Sequence, residues 1–139
     1  MQRLIFFVPL LLIVGCSADT SSGFKALLSG AWTGNMTSTS DPSAVLTGVV
    51  RMNLDQSNSG QLGGIVTISD PQTKCWFGGT IDERTSLITG SRVVIEFTDT
   101  SGADVVFDGN ATDDNINALY SSNAGPCGAN SGNVQLNRL

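Results

Sequence analysis

Asp108, Asn110, Thr112 and Asp114 alternate along the chain, so in an extended backbone their oxygens fall on one face at a strand end, where they would converge on a calcium ion. The spacing lacks the sixth-position glycine and closing glutamate of an EF-hand loop, so a solvated turn is the simpler reading and no metal is expected. Paired carboxylates for glycoside hydrolysis would come from Glu83, Glu96 and the aspartates. Glu83 falls in a turn, however, Glu96 alternates with the inward positions of its strand, and no aromatic sugar platform accompanies them. The 139 residues include no histidine. That removes Ser-His-Asp and Cys-His catalysis, imidazole-ligated zinc and the usual acid–base group working near neutral pH. The chain therefore reads as a non-enzyme, with no catalytic residue and no cofactor.

The amino terminus has a different kind of chemistry. Arg3 precedes an unbroken apolar run from Leu4 to Val14, followed by Gly15 and Cys16, the order of charge, apolar core and small residue that a secretory signal requires. The run is about half the ~20 residues needed to cross a bilayer, and Pro9 interrupts it, so a cleaved leader is expected rather than a permanent span. Ile13, Val14, Gly15 and Cys16 resemble the lipobox of bacterial lipoproteins. The resemblance implies a signal peptide over 1–15, cleavage before Cys16, and acylation of the Cys16 thiol. Ser17 stands where relatives retained at the inner membrane often carry Asp, so the same resemblance implies the outer membrane, facing either the periplasm or the cell surface. Burial of acyl chains gains about 0.8 kcal/mol per CH₂, and several chains on one cysteine hold a protein on its membrane. Residues 16–29 then form a lipid-bearing tether, with Ser, Thr, Ala and Asp over 17–23. The Asn35-Met36-Thr37 and Asn110-Ala111-Thr112 sequons are incidental in a bacterial protein.

With Cys16 acylated, Cys75 and Cys127 remain, and an oxidising exported compartment makes a disulfide between them the default. A reactive thiol or a two-thiolate metal site is the competing reading, and neither has supporting ligands in the sequence.

The whole chain carries seven basic and twelve acidic side chains, and loss of Arg3 with the leader leaves the mature protein at −6. An acidic surface repels phosphate backbones and anionic headgroups, so no nucleic-acid partner is expected and membrane contact is assigned to the lipid anchor. Ser, Thr, Asn and Gly carry the solubility, since only 14% of residues are charged.

Residues 30–139 suit one domain with one core. A start of helix is conceivable only at 24–28, where Ser29-Gly30 stops it. Beyond Trp32, the segments 45–56, 61–70, 74–82, 92–99, 103–112 and 115–121 alternate apolar with polar or small residues, as half-buried strands do. Asn58-Ser59-Gly60, Asp70-Pro71, Asp82-Glu83-Arg84, Thr89-Gly90-Ser91, Thr100-Ser101-Gly102 and Asp113-Asp114 supply the turns. Connections this short forbid parallel crossovers, so neighbours must pair antiparallel as an up-and-down meander. Segments 32–37, 86–88 and 133–139 bring the count to eight or nine strands, enough to close into a small barrel and remove exposed edges. A two-sheet sandwich is the alternative. Gly30-Ala31-Trp32 resembles the G-x-W start of lipocalin-type barrels, and Trp32-Thr33-Gly34-Asn35 resembles the opening strand of avidin. The rest of either pattern is missing, avidin's further tryptophans included, so no binding residue carries over.

Alternation places Trp32, Leu46, Met52, Phe77, Ile81, Phe97, Phe107 and Tyr120 among the inward residues, and Arg51, Arg92, Glu96 and Asp108 among the outward ones. The same phase leaves Val49, Ile65, Trp76, Val94, Val106 and Leu119 pointing outward near mid-strand, a belt of the kind that partner surfaces and homo-oligomer faces display. Strand propensity alone would also put β-branched residues there. The function expected is a non-catalytic protein-binding or structural role for an anchored lipoprotein of the cell envelope, with an envelope protein or a second copy as partner. The alternative is a lipocalin-like carrier of small molecules, which needs an unfilled interior with convergent polar groups.

Overall fold

Successive side chains of an extended strand point to opposite faces, and the alternation read from the sequence becomes a wall with an apolar inside. The structure, a computed structural model, describes residues 26–40, 47–69, 75 and 77–139. Cys16, the leader, the tether up to residue 25, Leu46, the Asp70-Pro71 turn and Trp76 lie outside the described residues. The strands are β1 (Gly30–Ser38), β2 (Thr47–Gln56), β3 (Leu62–Ser69), β4 (Gly78–Ile81), β5 (Leu87–Thr89), β6 (Arg92–Asp99), β7 (Asp104–Ala111), β8 (Asn115–Ser122) and β9 (Asn130–Arg138). In β8 every second residue is buried from Ile116 to Ser122.

All pairings are antiparallel, and β9 returns to β1, closing the meander into a barrel. The sandwich alternative is thereby excluded. β4 and β5 share one position in the wall: both pair with β6, β4 through Gly79, Thr80 and Ile81 and β5 through Leu87, Ile88 and Thr89. Between them the chain makes a turn in which the Asp82 carbonyl accepts the Ser86 N–H. The gap left opposite Glu96 is filled by the buried Ser86 hydroxyl, which accepts the Glu96 N–H at 2.8 Å, while the Asp82 N–H donates to the Glu96 carbonyl at 2.8 Å. A strand interrupted by a five-residue turn thus leaves none of Glu96's backbone groups unsatisfied, as a buried ladder requires.

Trp32, Met36, Val93, Ile95, Val105, Phe107, Ile116 and Val134 are wholly enclosed, and Phe97 meets Phe107 edge to face with centroids 5.3 Å apart. Each such side chain contributes about 1.5–3 kcal/mol on burial. Closure also needs close backbone approach at Gly34, where a Cβ would lie 1.8 Å from the Gln135 carbonyl oxygen of β9.

Three expectations change. Residues 26–28 are not helical: the Leu27 N–H donates to Asp113 Oδ1 and the Leu28 N–H to Gln56 Oε1, so barrel side chains hold these amides. Ala26 and Leu28 are buried in the core, which therefore begins before Gly30, within the stretch assigned to the tether. Phe77, expected inside, is 43% exposed. The cause is Gly78, whose φ of +87° turns the backbone out of the strand alternation; a Cβ there would meet the Val66 carbonyl oxygen at 2.2 Å.

Candidate functional site

The two ends of the barrel differ. Ala26, the start of β1 and the chain end after β9 share one end, and Cys75–Cys127 closes the other, with Cα atoms 5.3 Å apart. Cys75 is buried just before β4, outside any strand, and Cys127 lies on the 123–129 connection between β8 and β9. Beside the bridge, the buried Asp99 carboxylate gathers three amides: Oδ2 accepts the Phe77 and Gly78 N–H groups and Oδ1 the Ser101 N–H, all at 2.7 Å. Burial works to raise its pKa, but the hydrogen bonds from Phe77, Ser101 and Gly78 outweigh it, and the carboxyl lies below its ordinary value. Asp99 was legible only as the end of a strand before a turn. Its charge is spent on holding the backbone against β6. At the same end Tyr120 donates its hydroxyl to Asn130 Oδ1, pinning β8 to the start of β9, and burial raises the Tyr120 pKa against the opposing bond to Ser38.

The outer wall divides the expected belt. Leu119 stands opposite Asp108, Asp108 opposite Val94, and Val94 opposite Leu87, while Val106 is two residues from Asp108 on β7. Directly opposed side chains lie about 4.5–5.5 Å apart, so Leu87, Val94, Val106 and Leu119 form one patch around Asp108. Leu87 was not foreseen as a member; the neighbouring inward Ile88 was the signal for it. Val49 and Ile65 stand apart. Val49 pairs with Ser69 and Asn35, Ile65 with Asn53 and Thr80, and the Arg51–Thr67 pair separates them.

Asp108 does not join Asn110, Thr112 and Asp114 in an ion site. Its carboxylate takes a two-pronged bond from Arg92, Nη2 to Oδ2 at 2.9 Å and Nε to Oδ1 at 3.2 Å. The bond raises the Arg92 pKa and lowers that of Asp108, though both groups are open to solvent, so the pair fixes geometry more than it stabilises. Thr112 Oγ1 accepts the Asn115 N–H and caps the turn instead. Among the described residues no cluster of three or more His, Cys, Asp or Glu is placed to hold a metal. Glu83 lies in the exposed turn between β4 and β5, and Glu96 on β6 opposite Val106.

No protein-family model, curated protein or solved structure matches the chain.

Proposed function

We propose that the chain is an exported lipoprotein anchored through Cys16 to the outer membrane of a bacterial envelope, whose barrel is a non-catalytic binding or structural module. The filled interior supports this reading most. Trp32, Met36, Phe97, Phe107 and Tyr120 occupy the space a carried molecule would need, and each is at most 2% exposed. A partner is then met on the outer wall, where Leu87 and Leu119, 43% and 65% exposed, flank the less exposed Val94 and Val106. A patch of that make-up suits an envelope protein or a second copy. The disulfide favours an oxidising compartment outside the cytoplasm.

A photo-crosslinking side chain placed at Leu119 of the full chain in living cells tests this. It should yield a discrete adduct with an envelope protein or with itself, weakened when Val94 and Val106 are changed to Ser. A probe at Leu119 that captures no more than one at Thr67 would contradict it.

A further inference from the structure

Asn110 of β7, Asn117 of β8 and Gln135 of β9 stand directly opposite one another, and Asn35 of β1 continues the row around the barrel. Asn is depleted from strands, so a row of carboxamides on successive strands opposes local propensity and calls for another cause. Amides also serve solubility on β1, β8 and β9, which carry no charge before Arg138, but that role does not require them to stand directly opposite one another on neighbouring strands. None of these four amides has a side-chain hydrogen bond among the described residues.

A shallow, open groove of about 340 Å³ runs over the row on the outer face of β7, β8 and β9. Its walls are Asn110, Asn117, Gln135, Asn133, Asp108 and Leu119. Each amide offers a donor and an acceptor side by side, the pattern that a hydroxyl, itself both, completes. Asp108, fixed by Arg92, presents an acceptor at the rim, and Leu119 presents apolar surface to ring C–H groups. Among the described residues no Lys or Arg lines the groove, which disfavours anionic ligands. Three strands span roughly 10 Å at about 4.8 Å per strand, the reach of two linked sugar rings.

We propose that this groove binds a neutral oligosaccharide of two or three rings laid across β7, β8 and β9. The proposal is independent of the lipid anchor and assigns a ligand class to a face that adjoins the apolar patch and shares Asp108 and Leu119 with it. The test uses the ¹⁵N-labelled full chain in detergent, titrated with cellotriose and with chitotriose. At least one should move the side-chain NH₂ resonances of Asn110, Asn117 and Gln135 at millimolar concentration. Asn117→Ser with Gln135→Ser should weaken that binding at least about tenfold with the backbone spectrum of the barrel otherwise preserved, because both side chains are exposed and unbonded. Asn53→Ser on β2 should leave it unchanged. Absence of shifts with both sugars, or undiminished binding by the double variant, overturns the proposal. Shifts that follow protein concentration rather than sugar overturn it too, and assign the row to a second copy of the chain.

Discussion

Arg138 lies over Trp32: its guanidinium carbon is 4.6 Å from the centre of the indole ring, and the two residues are directly paired across β1 and β9. Around that stack the end of the barrel is tied shut. The Trp32 Nε1–H donates to the Leu28 carbonyl at 2.8 Å, and Arg138 donates to the carbonyls of Ser29, Leu27 and Asp113. The last strand thus holds the segment that leads into the first one. Arg138→Ala should destabilise the protein by about 1–3 kcal/mol, through loss of a cation–π contact and of charged hydrogen bonds to carbonyls that water reaches only in part. Arg138→Lys should recover only part of this, since an ammonium cannot reproduce the planar fork. Denaturant midpoints at unchanged slope would measure both; an alanine variant as stable as the parent would show that the stack contributes nothing.

Gly34 makes the seam between β1 and β9 possible. A methyl group at this position would lie 1.8 Å from a backbone oxygen that no rotamer change can move. Gly34→Ala should cost about 3 kcal/mol or more, the upper range for overpacking, and amide exchange should rise first in β1 and β9. Protection factors that are unchanged in those strands would sink the idea.

Cys75 and Cys127 are 52 residues apart in sequence, and linking them restricts the unfolded chain by about 4 kcal/mol in the chain-entropy model. That is a large share of the stability expected for a domain of this size. Reduction, or paired Cys→Ser changes, should lower the melting temperature markedly while the strand content survives below the new transition. Equal melting of oxidised and reduced protein would remove the bridge from any stabilising role.

Asp99 couples stability to acid. Its folded pKa is depressed, so its contribution is present above the ordinary carboxylate value of about 3.8 and is lost as pH falls through the lower folded value. Melting temperature should therefore decline below about pH 4. Asp99→Asn should cost about 3 kcal/mol at neutral pH, since its NH₂ faces amide donors, and should flatten the acid limb. An acid limb of the same steepness in the variant would assign the effect to other groups.

Much of this architecture was readable from alternation alone, because one-sided burial enforces period two: β6 runs over 92–99 as its pattern indicated, and the inward phase holds from Trp32 to Leu136. The exceptions have local causes. Phe77 turned outward because Gly78 adopts a positive φ, which a pattern of residue types does not display. Ala26 and Leu28 are buried although they precede any strand pattern, and Asp113 and Gln56 hold this segment in place through the amides of Leu27 and Leu28. Of the belt, Val94, Val106 and Leu119 come together and Val49 and Ile65 do not, since adjacency across a sheet depends on register, which spacing within single strands leaves open. The amide row is hidden in the sequence for the same reason: its members are scattered along the chain and meet only through pairing.

Anchoring through Cys16 is the premise on which the envelope role rests, and metabolic labelling with palmitate tests it most directly. Cells expressing the full chain should incorporate label into this protein and carry it in the outer-membrane fraction, while Cys16→Ser should abolish labelling and leave the protein soluble or unprocessed. Label that persists in Cys16→Ser, or a parent chain that takes up none, would contradict the account.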